Sequence, residues 1–450
     1  MASSTNDSAA SPIAPSRQGT DSCSSVDLSN GYPSGVADPP TLPPLTASWR
    51  TEPLSLPERN KVRDILAACR DRDLAALRAL ATSEGGFVED EVRRSAWPMV
   101  LGCHSNATEY ASRLDGSEKH RDEGQVQLDV NRSFVYYPED ESDERRDVRK
   151  NELSNVITSV LRAHPMLHYF QGYHDIVQVL LLVLGADAAV PAVARLSLLH
   201  IRDFMLPTMS GTESHLELLP AILYAMDPVL CKHLSHTQPF FALAATLTLY
   251  AHDIEEYGDI ARLFDFLLAS PASIPLYLFA VIVESRKSEL LEIEEDEPEM
   301  LHSILSKLPK PLNLESLIQR TSEIYKQHPP EALPGRAWNR VSANSVLKTT
   351  HDPRQLARQT LADGEKLFGK QAFEIKRADG WKRRKLRVQQ LLKKYERPRK
   401  TAAYAGGTLV VVVFAYWLRN SAGLAVLTSC ISALGKSQQQ AWGMLQNWFF

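Results

Sequence analysis

Between Lys150 and Arg286 apolar residues recur at helical spacing, with few runs in which apolar and polar residues alternate. A chain patterned this way has little from which to build a sheet. Segments 151–163, 172–184, 188–205, 214–226, 239–251, 259–269 and 274–286 each predict a helix. Pro165, Pro191, Pro207, Pro220, Pro228, Pro239, Pro271 and Pro275 mark their boundaries. Helical patterning starts near Pro57, with Val62, Ile65, Leu66, Leu74, Leu77 and Leu80. It breaks at Gly85–Gly86 and resumes in VEDEVRRSAWPMVLG, where Pro98 limits the geometry. The expected body is all-α, and 450 residues leave room for one large domain with appendages or for two domains.

The flanks differ in composition. Residues 1–50 are rich in Ser, Pro, Gly, Asp and Thr and lack the apolar core of a signal peptide, so a disordered arm is expected. The run ELLEIEEDEPEM (289–300) predicts a solvated loop or helix face, followed by a Pro-rich region (308–335) and a polar stretch (336–375). Residues 331–375 read as a polar linker. Between Lys376 and Lys400 twelve Lys and Arg stand against Asp379 and Glu396, a net +10, and residues 401–450 add +2. The total is −4, so residues 1–375 carry −16. An acidic body with a basic collar does not suggest a nucleic-acid-binding protein. The five cysteines, Cys23, Cys69, Cys103, Cys231 and Cys430, form no C-x-x-C pair and read as reduced thiols.

The stretch AAYAGGTLVVVVFAYWL (402–418) is uncharged and strongly apolar. At 17 residues it just meets the range of about 17 to 25 that a membrane-spanning helix needs. SAGLAVLTSCISALG (421–435) is shorter and richer in Ser. The expectation is one transmembrane anchor at 402–418 and a short tail over 421–450 that offers a possible second membrane segment. The basic segment 376–400 then faces anionic head groups on the cytosolic side, together with the body.

Two polar groupings lie on the helical body. In VQLDVNR, Asp129 and Arg132 are i,i+3 neighbours, so the carboxylate can hold the guanidinium in one rotamer. A held arginine with an exposed fork suits negative charge on phosphoryl oxygens, although such a pair is ordinarily a surface salt bridge. In HYFQGYHDIVQVLLL, Gly172 permits a tight turn or a close approach before an apolar helix. Asp175 lies in the first turn, where a carboxylate suits exposed N–H groups, and Gln171 sits at the helix lip. A plain helix cap accounts for much of this. His174–Asp175 is alternatively half of a metal site, with His164, His168 or His200 as further ligands.

Taken together, the two groupings resemble the signatures of the TBC domain, the helical module of Rab GTPase-activating proteins. Val126, Asp129 and Arg132 match the first signature, with Val where Ile is usual. Tyr169, Gln171, Gly172 and Asp175 match the second, with Tyr173 where Met is common. Arg94 and Trp97 are similar to the entry motif ahead of Leu101–Gly102. Arg262 and Asp265 match a later Arg-x-x-Asp motif, with Phe264 where an indole or phenol ring is common. The resemblance spans residues 56–330. Tyr173–His174, the stretch LHIRDFMLPTM (199–209) and the apolar C-terminal run bring it nearest to membrane-anchored members of that family and their fungal counterparts. Near Ala245 the family often has Trp, which leaves the packing of that helix open.

The resemblance implies a GTPase activator, not itself an enzyme, that lends residues in trans to a Rab in its GTP form. Arg132 is expected as an arginine finger and Gln171 as a glutamine finger, with Asp129 and Tyr169 positioning them. A trans arginine of this kind raises the rate by about 10³–10⁵. GTP and magnesium belong to the Rab, so no cofactor and no metal of the chain's own are expected. The expected setting is the cytosolic face of the endoplasmic reticulum or early secretory pathway, with a Rab of ER-to-Golgi transport. The competing readings are a Rab-binding tether that does not accelerate hydrolysis, and a phosphohydrolase built on the His174–Asp175 metal site.

Overall fold

The computed structural model describes residues 53–103, 118–138 and 141–420, with the backbone alone at 382, 392–405 and 415–420. The expected arm (1–50) and the tail (421–450) lie outside the described residues. Among the described residues there is no strand. The described body is all-helical, as the patterning predicts.

The first helix, Leu56–Asp71, opens on a capping box. The Ser55 hydroxyl accepts from the Glu58 N–H, and the Glu58 carboxylate accepts from the Ser55 N–H. The expected single segment continuing to Leu80 is broken. Arg72 turns left-handed (φ 54°), and Asp73 caps a second helix, Leu74–Thr82, by accepting from the N–H groups of Ala75 and Ala76. Asp90–Leu101, Glu123–Val130 and Asp143–Ala163 follow.

Tyr173–Leu184 and Ile274–Ser285 run through the centre of the core. Both are apolar on nearly every side, the composition of a helix buried all round. Ala186–Leu199 packs beside the first of these and contains Pro191, so that proline lies inside a helix where the sequence reading set a boundary. The expected helix 239–251 resolves into a 3₁₀ turn, Pro239–Ala242, and a short helix, Leu243–Leu247. The chain then turns left-handed at Leu249 and Tyr250 (φ 50° and 67°). Tyr250 holds that turn: its N–H donates to the Ala245 carbonyl at 2.7 Å and its hydroxyl to the Pro275 carbonyl at 2.7 Å. Ala245 itself is buried, so the smaller side chain is packed into the body.

Residues 331–375, which read as a polar linker, pack on the body. Trp338, Val346, Leu347, Leu356 and Phe368 are buried. The LHIRDF stretch is their dock. Asp203 accepts from the Ser345 hydroxyl (2.5 Å), the Val346 N–H (3.1 Å) and His215 Nε2 (3.0 Å), while Arg202 donates to the Thr349 hydroxyl and the Asn344 carbonyl. Polarity misled here because these polar groups are satisfied by one another. The helix Leu361–Asn420 continues through the basic collar and the apolar run. Among the described residues no helix is long and apolar enough to cross a membrane. Cys69, Cys103 and Cys231 are free thiols.

Candidate functional site

Asp129 lies in the last turn of the Glu123–Val130 helix and is fully buried. A buried carboxylate needs partners, and it has three. Arg132 Nη2 donates to Oδ1 at 2.5 Å, Gln125 Nε2 to the same oxygen at 3.2 Å, and the Tyr169 hydroxyl to Oδ2 at 2.9 Å. Arg132 stands in the turn beyond the helix, not on it, yet the three-residue spacing still brings it back over Asp129. Its side chain is 65% exposed, so the guanidinium is held at one end and open to solvent at the other.

The segment carrying Arg132 is fixed on several sides. Arg162 forms a two-pronged pair with Glu123 at 2.7 and 2.8 Å, tying the short helix to Asp143–Ala163. The Tyr169 N–H donates to Asp122 at 3.0 Å, and Arg121 donates to the carbonyls of Pro165 and Leu167. On the far side the Phe134 N–H donates to Gln178 Oε1 at 3.0 Å, and the Tyr137 hydroxyl to the Ala251 carbonyl at 3.3 Å.

Gly172 is the residue before the Tyr173–Leu184 helix and has φ 98°. That angle is strained for an L side chain, and a Cβ there would lie 2.6 Å from Thr248 Cγ2. The glycine therefore lets the chain turn sharply into the buried helix, leaving Gln171 exposed on the turn. The Gln171 amide makes no hydrogen bond to the described residues. Arg132 and Gln171 line one cleft of about 210 Å³, together with Phe134, Tyr136, His174, Asp175 and His252.

Asp175 does lie in the first helical turn, but its carboxylate does not cap it by a hydrogen bond. It accepts from His252 Nδ1 at 3.2 Å and faces His174 Nε2 at 3.2 Å. The hydrogen bond that His252 gives to Asp175 raises the pKa of His252, whereas burial lowers that of His174. His174 Nδ1 is also 3.2 Å from the Tyr169 hydroxyl oxygen. The two groupings therefore form a chain from Arg132 through Asp129, Tyr169 and His174 to Asp175 and His252. Burial first, and then the adjacent Asp129 carboxylate, push the Tyr169 hydroxyl far above its ordinary pKa, which keeps it protonated as the donor to Asp129.

The other motif residues lie in a separate buried network. Asp265 accepts from Trp97 Nε1 at 2.7 Å, from the Phe87 N–H at 2.9 Å, and from Arg93 through Nε (3.0 Å) and Nη2 (3.0 Å). Arg93 also donates to Asp90, which accepts from the Tyr257 hydroxyl as well. The sequence reading singled out Arg94, which instead donates to the Val183 carbonyl at 3.0 Å. Arg93 was legible only from its i,i+4 relation to Trp97, which sets both on one helix face. Arg262 does not pair with Asp265. It reaches Glu315 and the carbonyls of Ala81 and Ser83. These residues hold helices together and stand apart from the cleft.

His164 is paired with Glu365 at 2.7 Å, and His200 is buried with neither ring nitrogen bonded. Among the described residues no three His, Cys, Asp or Glu side chains converge as a metal site. The geometry thus does not assemble the ligands that the phosphohydrolase reading required.

Residues 90–291 match the Rab-GTPase-TBC domain. The chain is 37% identical over 303 residues to TBC1 domain family member 20 of Bos taurus, covering 66% of this chain and 75% of that one. It is 32% identical over 317 residues to the GTPase-activating protein gyp10 of Schizosaccharomyces pombe, covering 69% and 84%. The Ypt/Rab-GAP domain of Gyp1p shares the fold at a TM-score of 0.51 and 15% identity, over 60% of this chain and 98% of that one. With this extent of identity over three quarters of a relative's length, and the helical architecture to match, the chain belongs to the Rab-GTPase-TBC domain family.

Proposed function

We propose that this chain accelerates GTP hydrolysis by a Rab GTPase, inserting Arg132 and Gln171 in trans beside the nucleotide. The observation that carries this reading is the shared cleft: two solvent-facing side chains from separate segments line it, joined underneath by the Asp129–Tyr169 hydrogen bond. Phosphoryl transfer from GTP passes through a loose transition state in which charge spreads over the phosphoryl oxygens, so positioning and charge stabilisation do most of the catalytic work. A guanidinium already held by Asp129 needs little reordering to meet that charge. The free Gln171 amide orients the attacking water. GTP and magnesium arrive with the Rab.

In the same reading the run 402–418 anchors the protein in the membrane of the endoplasmic reticulum or early secretory pathway, and the Rab is one of ER-to-Golgi transport. The uncharged apolar sequence and the basic segment before it support the anchor. Single-turnover GTP hydrolysis across a panel of Rabs tests the activity. Arg132→Ala and Gln171→Ala are each expected to lower stimulated hydrolysis by orders of magnitude while the protein stays folded. Stimulation by either variant equal to that of the parent would defeat the two-finger mechanism, and binding without acceleration by the parent would establish a tether.

A further inference from the structure

The Leu361–Asn420 helix has two unlike faces. Its first turns lie on the body, where Phe368 and Gln371 are buried and Glu365 holds His164. At Gly364 a Cβ would come within 2.9 Å of Leu198 Cβ. Positions 364, 368, 371 and 375 mark this docked face at helical spacing. With 3.6 residues per turn, or about 100° per residue, Phe373, Trp381, Val388 and Leu391 fall on the opposite side. They are 66%, 65%, 54% and 54% exposed. Leu386, also exposed, is the large apolar residue of this stretch that falls outside the stripe. Arg377 and Arg384 lie within it, on stems long enough to carry their charges aside from an apolar surface.

We propose that this outward stripe lies along an anionic bilayer surface, so that the helix from 373 to 391 runs in the membrane plane and the body rides on its other face. The inference rests on the membrane attachment proposed above and replaces an upright stalk with a helix lying flat. Two observations choose a bilayer as the occupant. The net +10 of residues 376–400 complements anionic head groups, and the helix leads directly into the apolar run 402–418. The helix is continuous from 361 to 420, so lying flat requires it to bend before the span, and Pro398, which has no N–H to give to the helical ladder, is the place for that bend. The stripe then fixes which side of the body faces the membrane, an orientation that a flexible tether would leave free.

The test uses the full chain reconstituted with vesicles of phosphatidylcholine and phosphatidylserine, isolated by flotation, with doxyl-labelled lipid quenching tryptophan emission. Trp381→Phe keeps the apolar contact and removes one emitter, so the difference between parent and variant isolates Trp381 from the other six tryptophans. The expected result is a smaller quenchable emission in the variant, with the difference diminished when phosphatidylserine is omitted. Floated protein with equal quenchable emission in parent and variant overturns the flat helix and leaves the anchor standing. A difference indifferent to phosphatidylserine overturns the anionic surface as occupant. Failure to float overturns both the anchor and this inference.

Discussion

Replacing Tyr169 by Phe separates holding Arg132, the proposed arginine finger, from possessing it. The substitution removes one hydroxyl and leaves Arg132, Gln171 and Asp129 in place. Asp129 is fully buried, and Oδ2 takes its side-chain hydrogen bond from Tyr169 at 2.9 Å. A hydrogen bond to a charged group contributes about 1.5–3 kcal/mol, so a stability loss of that size is expected in denaturant unfolding. The Arg132–Asp129 pair contributes less to stability because its guanidinium is largely in water. The larger consequence is kinetic. With Oδ2 unsatisfied the carboxylate is free to reorient, and Arg132 moves with it. A displacement of about 1 Å at a positioned group costs on the order of 10²-fold in rate. Stimulated single-turnover hydrolysis at saturating Rab should therefore fall by about ten- to a hundredfold, short of the 10³–10⁵ attached to the finger itself. Rab affinity should hold. Parent-like turnover would show that Tyr169 does not position the finger. A loss equal to that of Arg132→Ala, or one that disappears at saturating Rab, would equally refute the reasoning.

Gly172→Ala places a Cβ at φ 98° and 2.6 Å from Thr248. A destabilisation of at least about 1–2 kcal/mol should appear in thermal or denaturant unfolding, with reduced stimulation because Gln171 sits on the same turn. Asp265→Ala strips the buried Arg93 of its two-pronged partner and should cost about 3–5 kcal/mol, read from the denaturant midpoint at unchanged slope. His200 is buried with no hydrogen-bond partner, and burial lowers its pKa from 6.5 to about 3. The unfolded chain binds the proton first, so no penalty exists above about pH 6.5. Below that the penalty grows by about 1.4 kcal/mol per pH unit towards the folded value. His200→Leu should therefore lose less stability than the parent as the pH falls from 6.5 to 4. Parallel pH profiles would show that this histidine is protonated in the fold.

Helix class and most helix positions were legible because 3.6-residue periodicity is a local property, and a helix satisfies its own backbone. Asp129 with Arg132, and Gln171 with Gly172, were legible for the same reason: three residues along a helical turn, or one glycine before a helix, bring atoms together without help from the rest of the chain. Where the sequence misled, the partner was remote. Polarity marked 331–375 as a linker because Ser345, Asn344 and Thr349 meet Asp203 and Arg202 only after about 140 intervening residues have folded. Arg262 and Asp265 belong to one motif, yet each is claimed by a different helix.

His174, which on sequence reads with Asp175 as half of a metal site, stands between Tyr169 and Asp175. His252 gave no signal at all, since its relation to Asp175 exists only where the left-handed turn at Leu249 and Tyr250 returns the chain to the cleft. The helices, the acidic body, the basic collar and the two short motifs all follow from neighbours along the chain. That Arg132 and Gln171 share a cleft follows from packing instead, because a hydrogen bond across 40 residues, from Tyr169 back to Asp129, is not specified by spacing along the chain.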